Sequence, residues 1–143
     1  MKLTCTYISV KDMQKSIAFY EAFLNQKAQV YSENRFVQFT CGDTIALYNE
    51  AFDEELIKQN KTDEHFNEAY LTDFACKQKA VNTMVTFNYE CEDLRYEYER
   101  LKKLQIGKLS DLRYVNIKAP YYYFTIEDPD GNELEVTGPY HEE

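Results

Sequence analysis

Any chemistry this chain performs has to be built from carboxylates, phenols and thiols, because it holds only two histidines, His65 and His141. His65 falls in a polar, charged stretch and His141 among the last three residues, so both read as solvated surface side chains. The four cysteines, Cys5, Cys41, Cys76 and Cys91, are widely spaced and none belongs to a CxxC pattern. That argues for reduced, mostly buried thiols rather than a disulfide frame or a zinc site. No Ser-His-Asp arrangement, phosphate-cradling glycine loop or dinucleotide fingerprint is present. What is abundant is acid and phenol: 25 Asp+Glu and 13 Tyr in 143 residues.

Those counts bound the setting. With 16 Lys+Arg the formal net charge is −9, which repels phosphate backbones and anionic headgroups, so neither nucleic acid nor membrane is an expected partner. The opening MKLTCTYISVKDM has no long apolar run, which fits neither a signal peptide nor an anchor and sets a cytoplasmic expectation. A chain of this length, 44% hydrophobic and 15% aromatic, is expected to close one domain around a real core.

The elements that would position these groups can be read from periodicity and punctuation. Leu3 to Val10 is β-rich, and Asp12 then stands as a helix N-cap before Met13, Ile17, Tyr20 and Leu24 at helical spacing. A weak strand over Lys27 to Ser32 precedes two β-rich runs, Arg35 to Cys41 and Thr44 to Tyr48, around the turn Cys41-Gly42-Asp43. The order is βαβββ. It recurs at Asn82 to Cys91, a strand, and at Asp93, which can cap a helix with Leu94, Tyr98 and Leu101 on one face. The second unit closes on Tyr121 to Ile126, the tight turn Asp128-Pro129-Asp130-Gly131, and the alternating Glu133-Leu134-Glu135-Val136. A shift of 81 lays Asp12 on Asp93 and Met13 on Leu94; a shift of 89 lays Gly42 on Gly131 and Leu47 on Val136. Module one therefore spans 1–50 and module two 81–143, with a polar connecting arm over 51–80. Within it Asp53 to Asn60 predicts a short helix, and the arm reads either as a linker packed over the outside or as a lid or partner-contacting segment.

A duplicated βαβββ unit, the segment Ser16-Ile17-Ala18-Phe19-Tyr20, and the close Asp-Pro-Asp-Gly-Asn followed by Leu134-Glu135-Val136 together resemble the vicinal oxygen chelate superfamily. That group includes glyoxalase I, bleomycin-resistance proteins and extradiol dioxygenases. The resemblance covers nearly the whole chain outside 51–80. It implies an α+β fold in which two βαβββ modules form a curved mixed sheet around a cleft, with helices on the convex side. Fold alone does not choose among the group's binders and enzymes.

Strand alternation then sorts side chains between the two faces. Ile8, Val10, Ile45, Leu47, Phe87 and Tyr89 are expected on the helix side, and Leu3, Cys5, Tyr7, Ala46, Tyr48, Thr86, Asn88 and Glu90 towards the cleft. If Ile126 pairs with Leu134, then Tyr123 and Thr125 lie beside Glu135 on the cleft side. Metal-dependent relatives hold one divalent ion through four slots, which fall here at Cys5, Ala46, Thr86 and Glu135. Only Glu135 is a usual ligand, so no metal residue and no cofactor is assigned.

Glu135 reads either as a carboxylate bonded to water or tyrosine, or as a group that recognises a cationic or hydrogen-bonding ligand or serves as a metal-free general base. Cys5 has no activating histidine in its strand or repeat partner and reads as a buried thiol. The expected ligand-binding set is Cys5, Tyr7, Tyr48, Thr86, Asn88, Glu90, Tyr123, Thr125 and Glu135, with Glu135 the candidate catalytic group. The leading expectation is a metal-free homodimer resembling the bleomycin-resistance group, binding a small aromatic or cationic compound. The alternatives are a metal-dependent lyase or isomerase resembling glyoxalase I, and a regulatory domain that uses 51–80 against a protein partner.

Overall fold

The structure, a computed structural model, describes residues 6–62, 65–76, 85–116 and 120–141. Strand β1 (Thr6–Val10) leads into helix α1 (Met13–Leu24) and strands β2 (Val30–Ser32), β3 (Phe36–Cys41) and β4 (Asp43–Asn49). Helices α2 (Glu50–Lys58) and α3 (Glu68–Cys76) follow. The first order then repeats as β5 (Phe87–Glu90), α4 (Leu94–Leu104), β6 (Arg113–Asn116), β7 (Pro120–Glu127) and β8 (Glu133–Thr137). The fold is α+β, and each module closes its own four-stranded sheet: β1-β4-β3-β2, here sheet A, and β5-β8-β7-β6, here sheet B. In each, the first strand lies parallel to the last and the remaining pairs are antiparallel.

The repeat read from the sequence is present in the hydrogen bonds. Asp12 accepts from the Lys15 N–H at 3.1 Å and Asp93 from the Tyr96 N–H at 2.9 Å, satisfying the orphan donors that open α1 and α4. Gly42 and Gly131 both hold φ at +85°, the left-handed region that each hairpin turn demands. β2, β3 and β5 are shorter than the β-rich runs that predicted them, and β4, β7 and β8 are longer. β5 starts at Phe87 and leaves Thr86 ahead of it, while Leu3 and Cys5 lie outside the described residues. The arm holds a second helix, α3, where only the first was predicted.

Contacts divide the chain into two compact units, Met1–Ile17 with Lys27–Ala80, and Ala18–Gln26 with Val81–Glu143. In the first, Ile8, Val10, Val37, Phe39, Ile45 and Leu47 are buried along one face of sheet A, as their period of two requires. In the second, Phe124, Ile126, Leu134 and Val136 do the same on sheet B. Tyr98 of α4 meets Phe124 edge-on at 5.3 Å, and Phe23 of α1 meets Tyr89 at 5.0 Å, so helices cover this face. Arg100 donates to the carbonyls of Ala22 and Phe23 at 2.8 and 2.6 Å, tying α4 to the open C-terminal end of α1. Among the described residues no helix is long and apolar enough to cross a membrane.

The turn between β7 and β8 is anchored from the same helix. Asp128 is buried, accepts from the backbone N–H groups of Asp130 and Asn132 and from the Asn132 side chain, and takes a 2.9 Å bond from the hydroxyl of fully buried Tyr20. Burial, and then the Asp128 charge, push the Tyr20 phenol far above its ordinary value, so it stays a donor. Tyr20→Phe removes a bond to a charged acceptor and should cost about 1.5–3 kcal/mol in urea unfolding. A loss under about 0.5 kcal/mol, the range of unremarkable surface substitutions, would show that the turn does not lean on Tyr20.

Candidate functional site

The face of sheet A opposite its core carries Tyr7, Ser9, Phe36, Gln38, Ala46 and Tyr48, placed together by the pairings Tyr7↔Ala46↔Gln38 and Ser9↔Tyr48↔Phe36. Tyr7 is 61% exposed and meets Tyr48 edge-on, ring centres 6.2 Å apart. Tyr48 is less available than its place in the strand suggests, because its hydroxyl is spent on a carboxylate of the arm.

That carboxylate is Asp53 of α2, fully buried. Tyr48 and Tyr70 both donate to its Oδ2, the latter at 2.6 Å, with the two phenol oxygens 2.8 Å apart. Arg35 grips it from the other side, Nη2 to Oδ2 at 3.0 Å and Nε to Oδ1 at 2.7 Å, a forked charge-assisted pair. The guanidinium lies 5.5 Å over the Phe66 ring, and Phe66, Tyr70 and Phe74 stack in sequence along α3 at 4.7 and 5.8 Å. Burial alone would push the Asp53 carboxyl up; the bonds from Tyr48, Tyr70 and Arg35 outweigh it and hold the group below its ordinary value. Burial and the bond to Asp53 push the Tyr48 phenol up in return. The Tyr48 and Tyr70 hydroxyls and one edge of the Arg35 guanidinium all turn on Asp53, which makes the cluster a clasp. The spacing of Phe66, Tyr70 and Phe74, four residues apart, marks the aromatic stripe in the sequence, but nothing there joins it to Asp53.

On sheet B the corresponding face is polar and more open. Asn88, Glu135 and Thr125 form one cross-strand row, and Glu90, Thr137, Tyr123 and Arg113 the next. The pairing Ile126↔Leu134, on which the sequence placement depended, is the one the sheet adopts. Asn88 Nδ2 donates to Glu135 Oε1 at 2.7 Å, which gives the half-buried carboxylate an amide partner. Thr137 Oγ1 stands 3.4 Å from Asn88 Oδ1 and steadies that amide. Arg113 lies 5.8 Å over the Tyr123 ring, and Tyr121 stands beside Tyr123 at 5.9 Å. Tyr122 points the other way, between Tyr114 and Tyr140. Thr125 is nearly closed off at 8% exposure, and Asn88 and Glu90 are exposed. Glu90 also borders a shallow open depression with Cys91, Glu92 and Pro139.

Of the four metal slots of the fold, the three among the described residues hold one usual ligand side chain, Glu135. Ala46 offers no donor atom and is fully buried, Thr86 is an exposed hydroxyl ahead of β5, and Glu135 is engaged by Asn88. Cys5 lies outside the described residues. Among the described residues no three His, Cys, Asp or Glu side chains come together, and both histidines are exposed. The Cys41 and Cys91 thiols are free and half-buried rather than buried, and burial pushes both above the ordinary thiol value, away from nucleophilic use.

Because Asp53 titrates lower in the folded chain than in the unfolded one, its stabilisation is complete above about pH 4 and is lost as pH falls through the depressed folded value. The thermal midpoint of the native protein should therefore exceed that of Asp53→Asn at pH 7 by a margin that narrows below about pH 4. A margin constant from pH 7 to pH 3 would show that Asp53 is not held ionised by the clasp.

With this geometry in place, the comparisons with known proteins are consistent. The model of the Glyoxalase/Bleomycin resistance protein/Dioxygenase superfamily matches residues 2–136. A lactoylglutathione lyase from Agrobacterium tumefaciens superposes with a TM-score of 0.61 at 17% identity, covering 96% of this chain and 92% of that one. A glyoxalase-related enzyme from Fulvimarina pelagi gives 0.65 at 13% identity, over 96% and 88%. A glyoxalase / bleomycin resistance protein from Catenulispora acidiphila gives 0.57 at 13%, over 94% and 96%. No curated protein sequence matches the chain. At these identities the structural likeness is one of fold, and the family match carries the assignment: the chain belongs to the glyoxalase/bleomycin resistance protein/dioxygenase superfamily.

Proposed function

We propose that this protein is a metal-free small-molecule-binding member of its superfamily that takes a flat organic cation on the Glu135 face of sheet B. The observation that carries the reading is the row Asn88, Glu135 and Thr125 beside Tyr123. A carboxylate is held in one orientation by an amide, next to a ring that already attracts a guanidinium. A ligand with an amine, amidinium or guanidinium group can pair with the carboxylate and lay its flat portion on the tyrosine, exchanging with Arg113. The exposed Asn88 supplies a neutral polar group, and the net charge of −9 favours the approach of a cation. In this reading the protein sequesters its ligand, in the cytoplasm and as a homodimer, and Glu135 acts by recognition rather than as a base.

The alternative within the same superfamily is a metal-dependent lyase or isomerase. It is favoured by one observation, that Glu135 occupies the slot which relatives use for a ligand. Elemental analysis of protein purified without chelators separates the two: a stoichiometric divalent metal establishes the alternative.

A thermal-shift panel of size-matched aromatic cations and anions tests the proposal directly. A cation at about 100 times its dissociation constant should stabilise the protein by about 2.7 kcal/mol, and Glu135→Gln should abolish that gain without lowering the unliganded midpoint. Stabilisation by anions alone, or cation binding indifferent to Glu135→Gln, would overturn it.

A further inference from the structure

The arm carries an inference about motion. Among the described residues of α2 and α3 no apolar side chain is fully buried; the only buried ones are Glu50 and Asp53. The two helices are thus held by half-buried apolar side chains and by polar ties rather than by fully buried core residues. Asp53 is the hub of the polar ties. From α2 it reaches Arg35, just ahead of β3, Tyr48 of β4 and Tyr70 of α3. The residue before α2 behaves differently. Asn49 is buried and pinned to the sheet side, its N–H donating to the Arg35 carbonyl at 2.8 Å and its Nδ2 to the Asn34 carbonyl at 2.7 Å. The boundary between fixed and releasable backbone therefore falls just after Asn49.

We propose that α2 and α3 form a strap that opens from sheet A as one unit, with Asp53 as its clasp. Segments with few buried apolar contacts open at lower free energy than the core they rest on, and a single shared acceptor makes the release cooperative. The strap controls what the sheet-A face offers. Closed, the Tyr48 and Tyr70 hydroxyls are spent on Asp53. Open, Tyr48 presents a ring and a phenol donor beside the exposed Tyr7, on the side of the strand away from the core. This inference concerns sheet A and stands apart from the proposed ligand face on sheet B.

Amide hydrogen exchange on the full chain tests it. In the native protein α2 and α3 should exchange together and at least roughly tenfold faster than β3 and β4, and Tyr70→Phe should accelerate α2 and α3 by roughly tenfold or more while β3, β4 and sheet B stay unchanged. Asp53→Asn should do the same more strongly; if that variant does not fold, Tyr70→Phe and the native pattern decide. Limited chymotrypsin digestion should then cut first at Phe66, Tyr70 or Phe74. Exchange of α2 and α3 no faster than β3 and β4, or equal acceleration of β3 and β4 by Tyr70→Phe, would overturn the proposal.

Discussion

The parallel pairing of the first and last strand in each module is the constraint on which the rest depends. Parallel neighbours need a long crossover, and here a helix and two further strands supply it, so one pairing commits the whole βαβββ path. It also decides which residues share a face. Tyr7 falls opposite Ala46 in sheet A and Asn88 opposite Glu135 in sheet B, the same two positions of the repeat. A slip of one residue in either pair would carry Ile8 and Leu47, or Tyr89 and Val136, out of their apolar setting. The apolar faces thus hold Glu135 in place, and Asn88 only fixes its rotamer.

Two buried aspartates then do similar work in different places. Asp128 locks the β7–β8 turn to α1 through Tyr20, and Asp53 ties α2 to β4 through Tyr48, to the approach of β3 through Arg35 and to α3 through Tyr70. Both escape the penalty of a desolvated charge by collecting several donors. The difference lies in what surrounds them. Asp128 is bonded to fully buried Tyr20, so its bonds add rigidity to a core already closed around them. Asp53 stands at the root of helices in which, among the described residues, no apolar side chain is fully buried, so its bonds weigh more there.

These differences also explain what could be read before any coordinates. Helix caps at Asp12 and Asp93 and the left-handed glycines Gly42 and Gly131 are local devices whose meaning lies within four residues, and the shifts of 81 and 89 connect them. The faces of β4, β5, β7 and β8 followed from alternation once the turn set the register. The clasp was not legible, since Arg35, Tyr48, Asp53 and Tyr70 are each an ordinary surface residue type and only folding gathers them. The partner of Glu135 was half legible: Asn88 was placed on its face, but that it donates to the carboxylate depends on a rotamer, which no pattern of residue types specifies.

The two modules have used the same position in opposite ways. Where sheet B presents Glu135 on an open, polar face, sheet A has Ala46, fully buried, and the tyrosine two residues on is turned to hold the arm. A carboxylate at Ala46 would be an uncompensated charge in a closed place, since the Arg35 guanidinium is already committed to Asp53. A face that holds its own helices through Tyr48 is therefore poorly placed to carry a carboxylate at Ala46 as well. The same reasoning explains why the remaining acid, Glu135, is not left bare. The Asn88 amide donates to that carboxylate and so orients it on the open face of sheet B.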